Sequence, residues 1–381
     1  MNNGSLNGHL KRFWGALFHE LNLTLSEDVA IDLGAANTRV YLPEKGVMIN
    51  EPSVIAFDAD NGKVAAVGQE AKRLGRRRPR ELRIEHPIKN GVVADYEAAG
   101  QMLSRFIKAS SARHILRRPS LLICAPAGVT PLEQMAYEET ARRAGARKVR
   151  LVEGPYAAAL GADLDPREPR ACMIVDLGAT TTDIAVISGG GVLYASTRRV
   201  GGSEIDCAIA RYLHMERTLE VSEDAAEEVK IEIGAAGGSP VGRTLAVRGR
   251  NLKSGLPEEI AVRSDEIDPL MQPVLRVIKQ QVRAALEEIS IEASVDLLDS
   301  GITLSGGLAR LHGLAEHFAL EFGLHVQVAP DPTLAAATGA GRLIEQPIPA
   351  FIREAMREEE SVRATNGSWP NREDKRFAYS H

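Results

Sequence analysis

The chain contains 381 residues, of which 44% are hydrophobic and 25% are charged, and its formal net charge is −5 at pH 7. A chain of this length is too long for one ordinary hydrophobic core, so we expect two or more lobes. The composition is that of an average soluble globular protein, and the acidic balance argues against a general nucleic-acid binder.

The first 25 residues predict an amphipathic helix. Its large apolar residues recur at the i, i+3, i+4, i+7 spacing that places them on one side of a helix: Leu10, Phe13, Trp14, Leu17, Phe18 and Leu21. Lys11 and Arg12 lie beside them, and such a helix can lie flat in the headgroup layer of a membrane. The alternative is that the apolar side packs against the protein's own core. No run of eighteen apolar residues occurs, so no membrane span is expected.

Short apolar runs that indicate strands alternate with helical patterns along most of the chain, which is typical of α/β proteins. Strands are predicted at 28–33, 38–42, 47–50, 63–67, 121–125, 148–152, 171–177, 182–187, 191–195, 243–248 and 301–305. Helices are predicted at 96–109, 131–144, 155–162, 203–213, 222–235, 264–293, 309–322 and 333–344.

The sequence Asp-Leu-Gly-Ala occurs at residues 32–35 and returns at residues 176–179. Each copy opens a new group of hairpin strands followed by helices, so we expect two related halves, roughly 26–165 and 166–345. A duplicated α/β unit forms a cleft between its halves, and ligands favour such clefts.

Three further segments differ in character from the strands around them. Segments 55–95 and 204–270 carry more charge and indicate smaller subdomains inserted in the two halves. Residues 346–381 are polar and lack sustained periodicity, so we expect them to be disordered.

The repeated segments predict two phosphate-binding turns. Gly34 and Gly178 permit a tight turn that brings backbone N–H groups close to an anion without a Cβ in the way. Short hydrogen-bond donors follow each glycine, namely Asn37 and Thr38 in the first turn and Thr180, Thr181 and Thr182 in the second. Phosphate oxygens are the natural acceptors for such donors.

Asp32 and Asp176 end apolar strands, where a carboxylate is costly unless it faces a polar cleft. Facing each other across that cleft, they could hold Mg²⁺ through water. The alternative, that each caps a turn, is favoured for a single copy, whereas two matched copies favour the Mg²⁺ site. A third glycine turn, GITLSGGLAR at 301–310, follows a strand and opens a helix, as the third element of an ordered series.

These motifs, in this order, resemble the actin, sugar-kinase and heat-shock-chaperone ATPase superfamily, and within it the MreB/Mbl bacterial actin family. The resemblance runs from about residue 26 to residue 345. It is carried by IDLGAANTRVYL, NEPSVIAFD, HPIKNGVVADY, EGPYAAALGADL, DLGATTTDIAVIS, VGGSEID, EEVKIEIG, VRGRNL and LSGGLARLHGL. It implies an α/β fold of the actin-like ATPase type, with two duplicated lobes around a nucleotide cleft and a subdomain inserted in each lobe.

The resemblance also implies the site residues. The first phosphate turn is matched by Asp32, Gly34, Ala35, Ala36, Asn37 and Thr38, and the second by Asp176, Gly178, Ala179, Thr180 and Thr181. The adenosine contacts are matched by Glu227, Glu228, Val229 and Lys230, and the loop beneath them by Gly306, Gly307, Leu308 and Ala309. For Glu227 and Lys230 the alternative is an exposed helical ion pair.

The function that the resemblance implies is an ATP- and Mg²⁺-binding protein that forms homopolymeric filaments on the inner face of the plasma membrane. It would stay in the cytoplasm as a peripheral protein, with cell-wall synthesis and shape proteins as partners and no nucleic acid. A small-molecule kinase of the same superfamily is the rival enzyme class, but it would require a base aimed at a substrate hydroxyl.

Several positions depart from the family pattern. The family usually has Thr at Ala35, a glycine triplet at Gly178–Thr180 and a third glycine at Leu308, and each change removes a donor or adds bulk. Gly154 stands where the family has a glutamate that orients the attacking water together with a threonine, here Thr181. Glycine cannot position water through a side chain, so we expect slow or absent hydrolysis and a nucleotide-binding scaffold as the closest alternative. The neighbouring carboxylate, Glu153, could substitute, although adjacent strand residues point to opposite faces.

Two further expectations concern cysteine residues and a basic run. Cys124, Cys172 and Cys207 lack disulfide or zinc spacing, so we expect three buried thiols, and the histidines form no ligand pattern. The run KRLGRRRPRELR at 72–83 is either a solvated face or a surface for anionic lipid or a neighbouring subunit.

Overall fold

The computed structural model describes residues 28–77, 80–110, 118–237 and 242–345. The strands are β1 Asp28–Leu33, β2 Asn37–Leu42, β3 Gly46–Pro52, β4 Ile55–Asp58, β5 Val64–Val67, β6 Leu82–Glu85, β7 Ile88–Lys89, β8 Val92–Val93, β9 Ser120–Ala125, β10 Lys148–Glu153, β11 Cys172–Leu177, β12 Thr182–Ser188, β13 Gly191–Arg198, β14 Leu219–Glu220, β15 Thr244–Asn251, β16 Pro257–Arg263, β17 Ile302–Ser305 and β18 Val326–Val328. The helices are α1 Gly68–Gly75, α2 Tyr96–Ser110, α3 Pro131–Arg143, α4 Gly154–Gly161, α5 Gly202–Met215, α6 Glu223–Ile233, α7 Ser264–Glu288, α8 Ile291–Ser300, α9 Leu314–Phe322 and α10 Ala335–Glu345, with a 3₁₀ turn at Gly307–Arg310.

The two halves have the same sheet topology. The first sheet has the order β3-β2-β1-β9-β10 and the second has the order β13-β12-β11-β17-β18. In each sheet the central strand pairs antiparallel with the next strand along the chain and parallel with a strand that arrives after helices. The duplication predicted from the repeated sequence is therefore present as two equivalent five-stranded sheets within one compact unit that reaches Ile344.

Each sheet has its own hydrophobic core. The first core gathers β1, β2 and β9 against α2 and α3, and the second gathers β11, β12 and β17 against α5 to α9. Apolar residues recur in α2 at helical spacing, and the buried set of that helix includes Met102, Leu103 and Phe106. The strands β1, β9 and β11 are buried on both faces, which is why they read as continuous apolar runs.

Helices α4 and α10 cross where the two halves join. α4 packs against strands of both sheets. At the crossing, a Cβ on Gly161 would lie 1.9 Å from the Ala335 carbonyl oxygen, and one on Gly339 would lie 1.7 Å from the Ala157 carbonyl oxygen. Only hydrogen atoms fit at these two positions, so the helices meet backbone to backbone.

A smaller sheet belongs to each half. β5-β4-β6 with α1 interrupts the first half, and β14-β15-β16 with α5 and α6 interrupts the second. Two members of the basic run, Lys72 and Arg76, each lie 2.7 Å from an oxygen of Asp224 on α6. This part of the basic run therefore contacts the other half of the same chain. The exact boundaries of the lobes and subdomains stay a prediction.

The predicted helix 264–293 is in fact two helices. α7 ends at Glu288, Ile289 is extended, and the Ser290 hydroxyl accepts a hydrogen bond from the Ala293 N–H to begin α8. A serine cap inside a continuous apolar pattern marks the break. The helix predicted from residue 309 begins instead at Leu314, because Gly313 adopts a left-handed conformation after the 3₁₀ turn.

Several short elements were not predicted. They include β4, β6, β16 and α1, and β16 illustrates the reason: its sequence, PEEIAVR, places glutamates at consecutive positions and exposes most of its residues at the sheet edge. Edge strands with charged residues give a weak apolar signal.

The proposed membrane helix, with Leu10, Phe13, Trp14, Leu17, Phe18 and Leu21, lies outside the described residues, as does the tail 346–381. Among the residues that the structure does describe, no helix is long and apolar enough to cross a membrane.

The expectation of three buried thiols is wrong for Cys207. Cys124 and Cys172 are buried in sheet strands, whereas Cys207 is exposed on α5. The helix buries Ile205 and Ile209 and turns Cys207 outward, so the periodicity of α5 placed this residue on the solvent face.

We expect one reactive thiol in the native protein. Burial, followed by the charges of Asp32 and Asp176, raises the pKa of Cys124 well above its usual value, and burial raises the pKa of Cys172 to about 11. Because the thiolate is the nucleophile, a disulfide reagent should titrate Cys207 alone in native protein and all three thiols after denaturation. In the Cys207→Ser control no thiol should react before unfolding; rapid titration of that variant would contradict the burial of the other two.

A second prediction concerns two neighbouring glycines. Gly306 has φ 83° and ψ 170°, and a Cβ on it would lie 2.2 Å from the Leu177 carbonyl oxygen, whereas a Cβ on Gly307 meets nothing within 4 Å. Gly306→Ala should lower the free energy of unfolding by roughly 3 kcal/mol, and Gly307→Ala should change it by less than about 1 kcal/mol. Denaturant unfolding of the two variants measures the difference, and equal midpoints would show that the turn is not constrained as described.

Candidate functional site

The first phosphate turn connects β1 to β2 and is held from behind by Ser53. The Gly34 N–H donates to the Asn37 carbonyl at 3.1 Å, and a Cβ on Gly34 would come within 2.8 Å of that oxygen. The Ser53 hydroxyl donates to the Gly34 carbonyl at 2.6 Å and lies 2.8 Å from the Thr38 hydroxyl. These bonds satisfy the carbonyl groups of the turn and leave Ala35 and Ala36 partly or fully exposed at its tip.

The second phosphate turn connects β11 to β12 with the same geometry. The Gly178 N–H donates to the Thr181 carbonyl at 2.8 Å. The first amides of α5 then bond to this turn, because the N–H groups of Gly202 and Ser203 donate to the carbonyls of Gly178 and Ala179 at 3.1 and 2.7 Å. The N-terminus of α5 is thus fixed on the back of the turn.

Thr181 lies at a contact between the two halves. A Cβ on Gly91, in the β7–β8 turn of the first half, would come within 2.6 Å of the Thr181 methyl carbon. The Thr181 side chain also hydrogen-bonds to Asp183. Thr181, the residue predicted to position water, therefore packs against the β7–β8 turn of the first half.

The third glycine turn lies directly beside the second. The Gly306 N–H donates to the Pro332 carbonyl at 2.7 Å, and its Cα approaches the backbone of Leu177, which precedes Gly178. Leu308 and Ala309 are buried in the second hydrophobic core, so their side chains face away from solvent. The Leu308 side chain therefore packs in the core, and Gly307 and Arg310 are the exposed residues of the 3₁₀ turn.

The two aspartates predicted at the strand ends occupy equivalent positions in the two sheets. Asp32 lies opposite Arg39 on the antiparallel strand and Cys124 on the parallel strand. Asp176 lies opposite Asp183 and Ser305 at the corresponding places. The same position next to the central aspartate thus carries a cation in one half and a third carboxylate in the other.

Each carboxylate has a defined partner. The Arg39 guanidinium donates to Asp32 at 2.6 Å, and the Ser305 hydroxyl donates to Asp176 at 3.0 Å. Asp183 accepts from the Ala127 N–H at 3.1 Å and from the Thr197 hydroxyl. Ala127 belongs to the first half, so this bond joins the halves at the site.

Burial and mutual repulsion set the protonation of this group. Burial, together with the charges of Asp183 and Asp32, raises the pKa of Asp176 to about 7 against the opposing effects of the Ser305 hydrogen bond and the Arg39 charge. Burial also raises the pKa of Asp183 to about 6 against the bonds from Thr197 and Ala127. Carboxylates in this state favour the approach of a cation, which would offset their repulsion.

The predicted adenosine residues on α6 face different environments. Lys230 lies 2.8 Å from Asp206 on α5 and donates to the Gly202 carbonyl at 3.2 Å. Glu227 is partly buried on the same side of the helix, and its charge raises the pKa of Asp206 after the larger effect of burial. The remaining two residues diverge, because Val229 packs in the core and Glu228 is exposed. The structure therefore brings Lys230 to the beginning of α5, which bonds to the second turn, and places Glu227 near Asp206, while the other two residues point elsewhere.

Gly154 is the first residue of α4 and is buried behind β9. A Cβ there would lie 3.3 Å from the Ala125 carbonyl oxygen, and its φ lies outside the left-handed region. Glu153 is the last residue of β10 and precedes the helix. The two are thus separated by the strand–helix boundary instead of alternating along one strand.

Sequence reasoning did not identify four residues that belong to the site: Arg39, Asp183, Asp206 and Ser53. Arg39 and Asp183 stand seven residues after their central aspartates, so matching the two hairpins position by position would have found them. Asp206 bonds to Lys230 and Ser53 bonds to the Gly34 carbonyl, and both partners are distant in sequence, so no local pattern indicates these contacts.

The residues present fit a nucleotide with a hydrated cation. The backbone is tight at Gly34, Gly178 and Gly306, where a Cβ would lie within 3.0 Å of a carbonyl oxygen, and the buried Arg39 Nε has no hydrogen-bond partner. Within the described ranges, no three His, Cys, Asp or Glu side chains are placed to hold a metal ion directly. This arrangement suits a cation bound through its water shell.

Comparisons with known proteins identify the family of this chain. The model of the MreB/Mbl protein family matches residues 26–349. The cell shape-determining protein MreB of Escherichia coli (strain K12) is 41% identical over 325 residues, covering 84% of this chain and 94% of the relative. The cell shape-determining protein Mbl of Bacillus subtilis (strain 168) is 38% identical over 320 residues, covering 84% of this chain and 96% of the relative.

Solved structures show the same fold. The crystal structure of MreB5 of Spiroplasma citri bound to AMPPNP has a TM-score of 0.79 at 29% identity, covering 88% of this chain and 99% of that one. The MamK double helical filament has a TM-score of 0.73 at 22% identity, covering 85% of this chain and 100% of that one, and supports the actin-like fold alone. With the family model matching most of its length, this chain belongs to the MreB/Mbl family.

Proposed function

We propose that this chain is a bacterial cytoskeletal protein that binds ATP, polymerises into filaments at the inner face of the plasma membrane and helps to determine cell shape and the placement of cell-wall synthesis. The observation that carries this proposal is the pair of equivalent phosphate turns, each following a central aspartate, with a third glycine turn beside them. Relatives of similar length are cell shape-determining proteins, and MreB5 binds AMPPNP in its crystal structure.

In this proposal the phosphates lie between the first two turns. Backbone amides of Ala35 to Asn37 and of Ala179 to Thr181 would donate to phosphate oxygens, with the hydroxyl of Thr180 as a further donor. Glu227 and Lys230 would hold the adenosine, which requires Lys230 to share its charge between Asp206 and the ligand. Gly307 would lie beneath the base.

Asp32 and Asp176 would hold Mg²⁺ through water. Asp183, which lies opposite Asp176, would be a third carboxylate able to accept hydrogen bonds from the water molecules around the ion. The cation supplies charge neutralisation between carboxylates and phosphates when bound. The protein's own part is to fix the carboxylates through Arg39, Ser305 and Thr197.

A nucleotide-binding scaffold with little hydrolysis is the second candidate, because Gly154 provides no side chain at the position of the family's water-orienting glutamate. Thr181 retains a hydroxyl near this point but already bonds to Asp183. Both candidates bind ATP and assemble, and they differ in whether phosphate is released.

The membrane and polymer parts of the proposal are tested together. Purified protein with ATP and Mg²⁺ on vesicles that contain anionic lipid should form filaments visible by electron microscopy, and filaments should be fewer without nucleotide. Trp14→Glu with Phe18→Glu should reduce co-sedimentation with vesicles, since each large apolar side chain contributes roughly 1–3 kcal/mol when buried. Dispersed protein under all conditions would contradict the polymer, and unchanged co-sedimentation of the double variant would contradict the membrane helix.

Hydrolysis is tested by restoring the missing carboxylate. The parent should bind ATP and release phosphate slowly, and Gly154→Glu should raise the rate by about 10²- to 10⁴-fold, because a positioned base contributes in this range. The backbone accepts the substitution, although the Cβ must gain a few tenths of an ångström from Ala125. Gly154→Gln is the matched control and should stay slow. A parent rate equal to that of Gly154→Glu would show that another group orients the water.

A further inference from the structure

Arg39 stands out because the two halves carry opposite charges at one equivalent position. It is the residue opposite Asp32 in the first hairpin, as Asp183 is opposite Asp176 in the second. The neighbouring pairs, Leu33 with Thr38 and Leu177 with Thr182, match in both hairpins. Arg39 is therefore placed on the first phosphate turn in the same way that Asp183 is placed on the second.

The Arg39 side chain is partly buried, and one of its buried nitrogen atoms has no hydrogen-bond partner. Its Nη1 donates to Asp32 at 2.6 Å, and the side chains of Arg39 and Asp32 are 15% and 17% exposed. Its Nε is buried without a hydrogen-bond partner. Leaving a buried donor of a charged group unpaired is costly, so a site with this feature favours an additional acceptor.

The electrostatic surroundings identify the kind of acceptor. A guanidinium has five N–H donors in a planar fork that matches the oxygens of a phosphate, and it stays charged at any physiological pH. The charge of Arg39 also acts on Asp176 across the site, where it opposes the effects of burial and of the neighbouring carboxylates. One cation thus lies near three carboxylates, beside the two glycine turns.

We propose that Arg39 is a phosphate-binding residue and that it provides the chain with a built-in cation, so that a nucleoside di- or triphosphate is held without a divalent ion. The proposal rests on the nucleotide site proposed above. It adds Arg39 as a residue that contacts the phosphates, and it adds a reduced requirement of nucleotide binding for Mg²⁺. In a site without such a cation, removal of the divalent ion leaves phosphates facing carboxylates. Here the Arg39 guanidinium would lie between the phosphates and Asp32, and its positive charge would offset part of the negative charge of each.

The experiment compares nucleotide affinity with and without a divalent ion. Calorimetry with ATP and with ADP would be run on the full chain in Mg²⁺ and in EDTA, for the parent, Arg39→Met and Arg39→Lys. The parent should lose less than about 10-fold in affinity when Mg²⁺ is removed. Arg39→Met should lose about 10- to 100-fold relative to the parent in EDTA, and only a few fold in Mg²⁺. Arg39→Lys should keep most of the EDTA affinity, because the charge remains.

Arg217→Met is the matched control. Arg217 pairs with Glu266 and with the Ala261 carbonyl in the second half and contacts none of the candidate site residues. Its loss should affect stability without changing the ratio of affinities in Mg²⁺ and EDTA. Thermal unfolding of each variant separates the two effects, and Arg39→Gln, which can still donate to Asp32, replaces Arg39→Met if the latter does not fold.

The outcomes are distinguishable. Equal losses for Arg39→Met in both buffers would show that Arg39 does not replace the divalent ion, and a lower melting temperature with unchanged affinities would show that Arg39 only neutralises Asp32; either result would overturn the proposal. A parent that binds nucleotide in Mg²⁺ but not in EDTA would also overturn it while leaving the proposed function intact. Absence of nucleotide binding by the parent in both buffers would instead reject the nucleotide site itself.

Discussion

Asp32, Asp176 and Asp183 lie next to the turns of the two equivalent hairpins, partly or fully buried, and like charges taken out of water repel one another. Each of the three carboxylates accepts a hydrogen bond that offsets part of this repulsion. Arg39 bonds to one carboxylate, Ser305 to the second, and Thr197 together with the Ala127 amide to the third. Because these donors come from three strands and one loop, drawn from both halves, the carboxylates are satisfied only where the two sheets meet.

Much of the fold follows from local patterns. The central strands are apolar on both faces and each ends in Asp-Leu-Gly-Ala, so their position and their duplication were predictable from the sequence. The hairpin that follows each one is set by a glycine turn that closes on itself. What the patterns missed is short or at an edge, as with β16, or depends on one capping hydroxyl, as with Ser290 between α7 and α8.

The site was predictable to a lesser degree. The glycines and central aspartates can be recognised because they repeat in the sequence. Whether the other site residues face the cleft depends on their burial, which no local sequence pattern indicates. Leu308 and Val229 matched site positions but face the core, and Lys230 is already paired with Asp206 from another helix. The contact of Lys72 and Arg76 with Asp224 joins residues far apart in sequence, and a basic run by itself does not name its partner.

The crossing of α4 and α10 has a mechanical consequence. Most helix pairs interlock through side chains, and turning one against the other forces rotamers to change. Here the glycines bring backbone against backbone, so the surfaces in contact are smooth. Rotation of one half against the other about this point would slide one backbone past the other and would break the bonds that Arg342 of α10 makes to the Leu160 carbonyl and to Asp163. A methyl group added at Gly339 would push α10 away from α4, because it would overlap the Ala157 carbonyl oxygen. The relative angle of the two halves would then change while each sheet stays as it is.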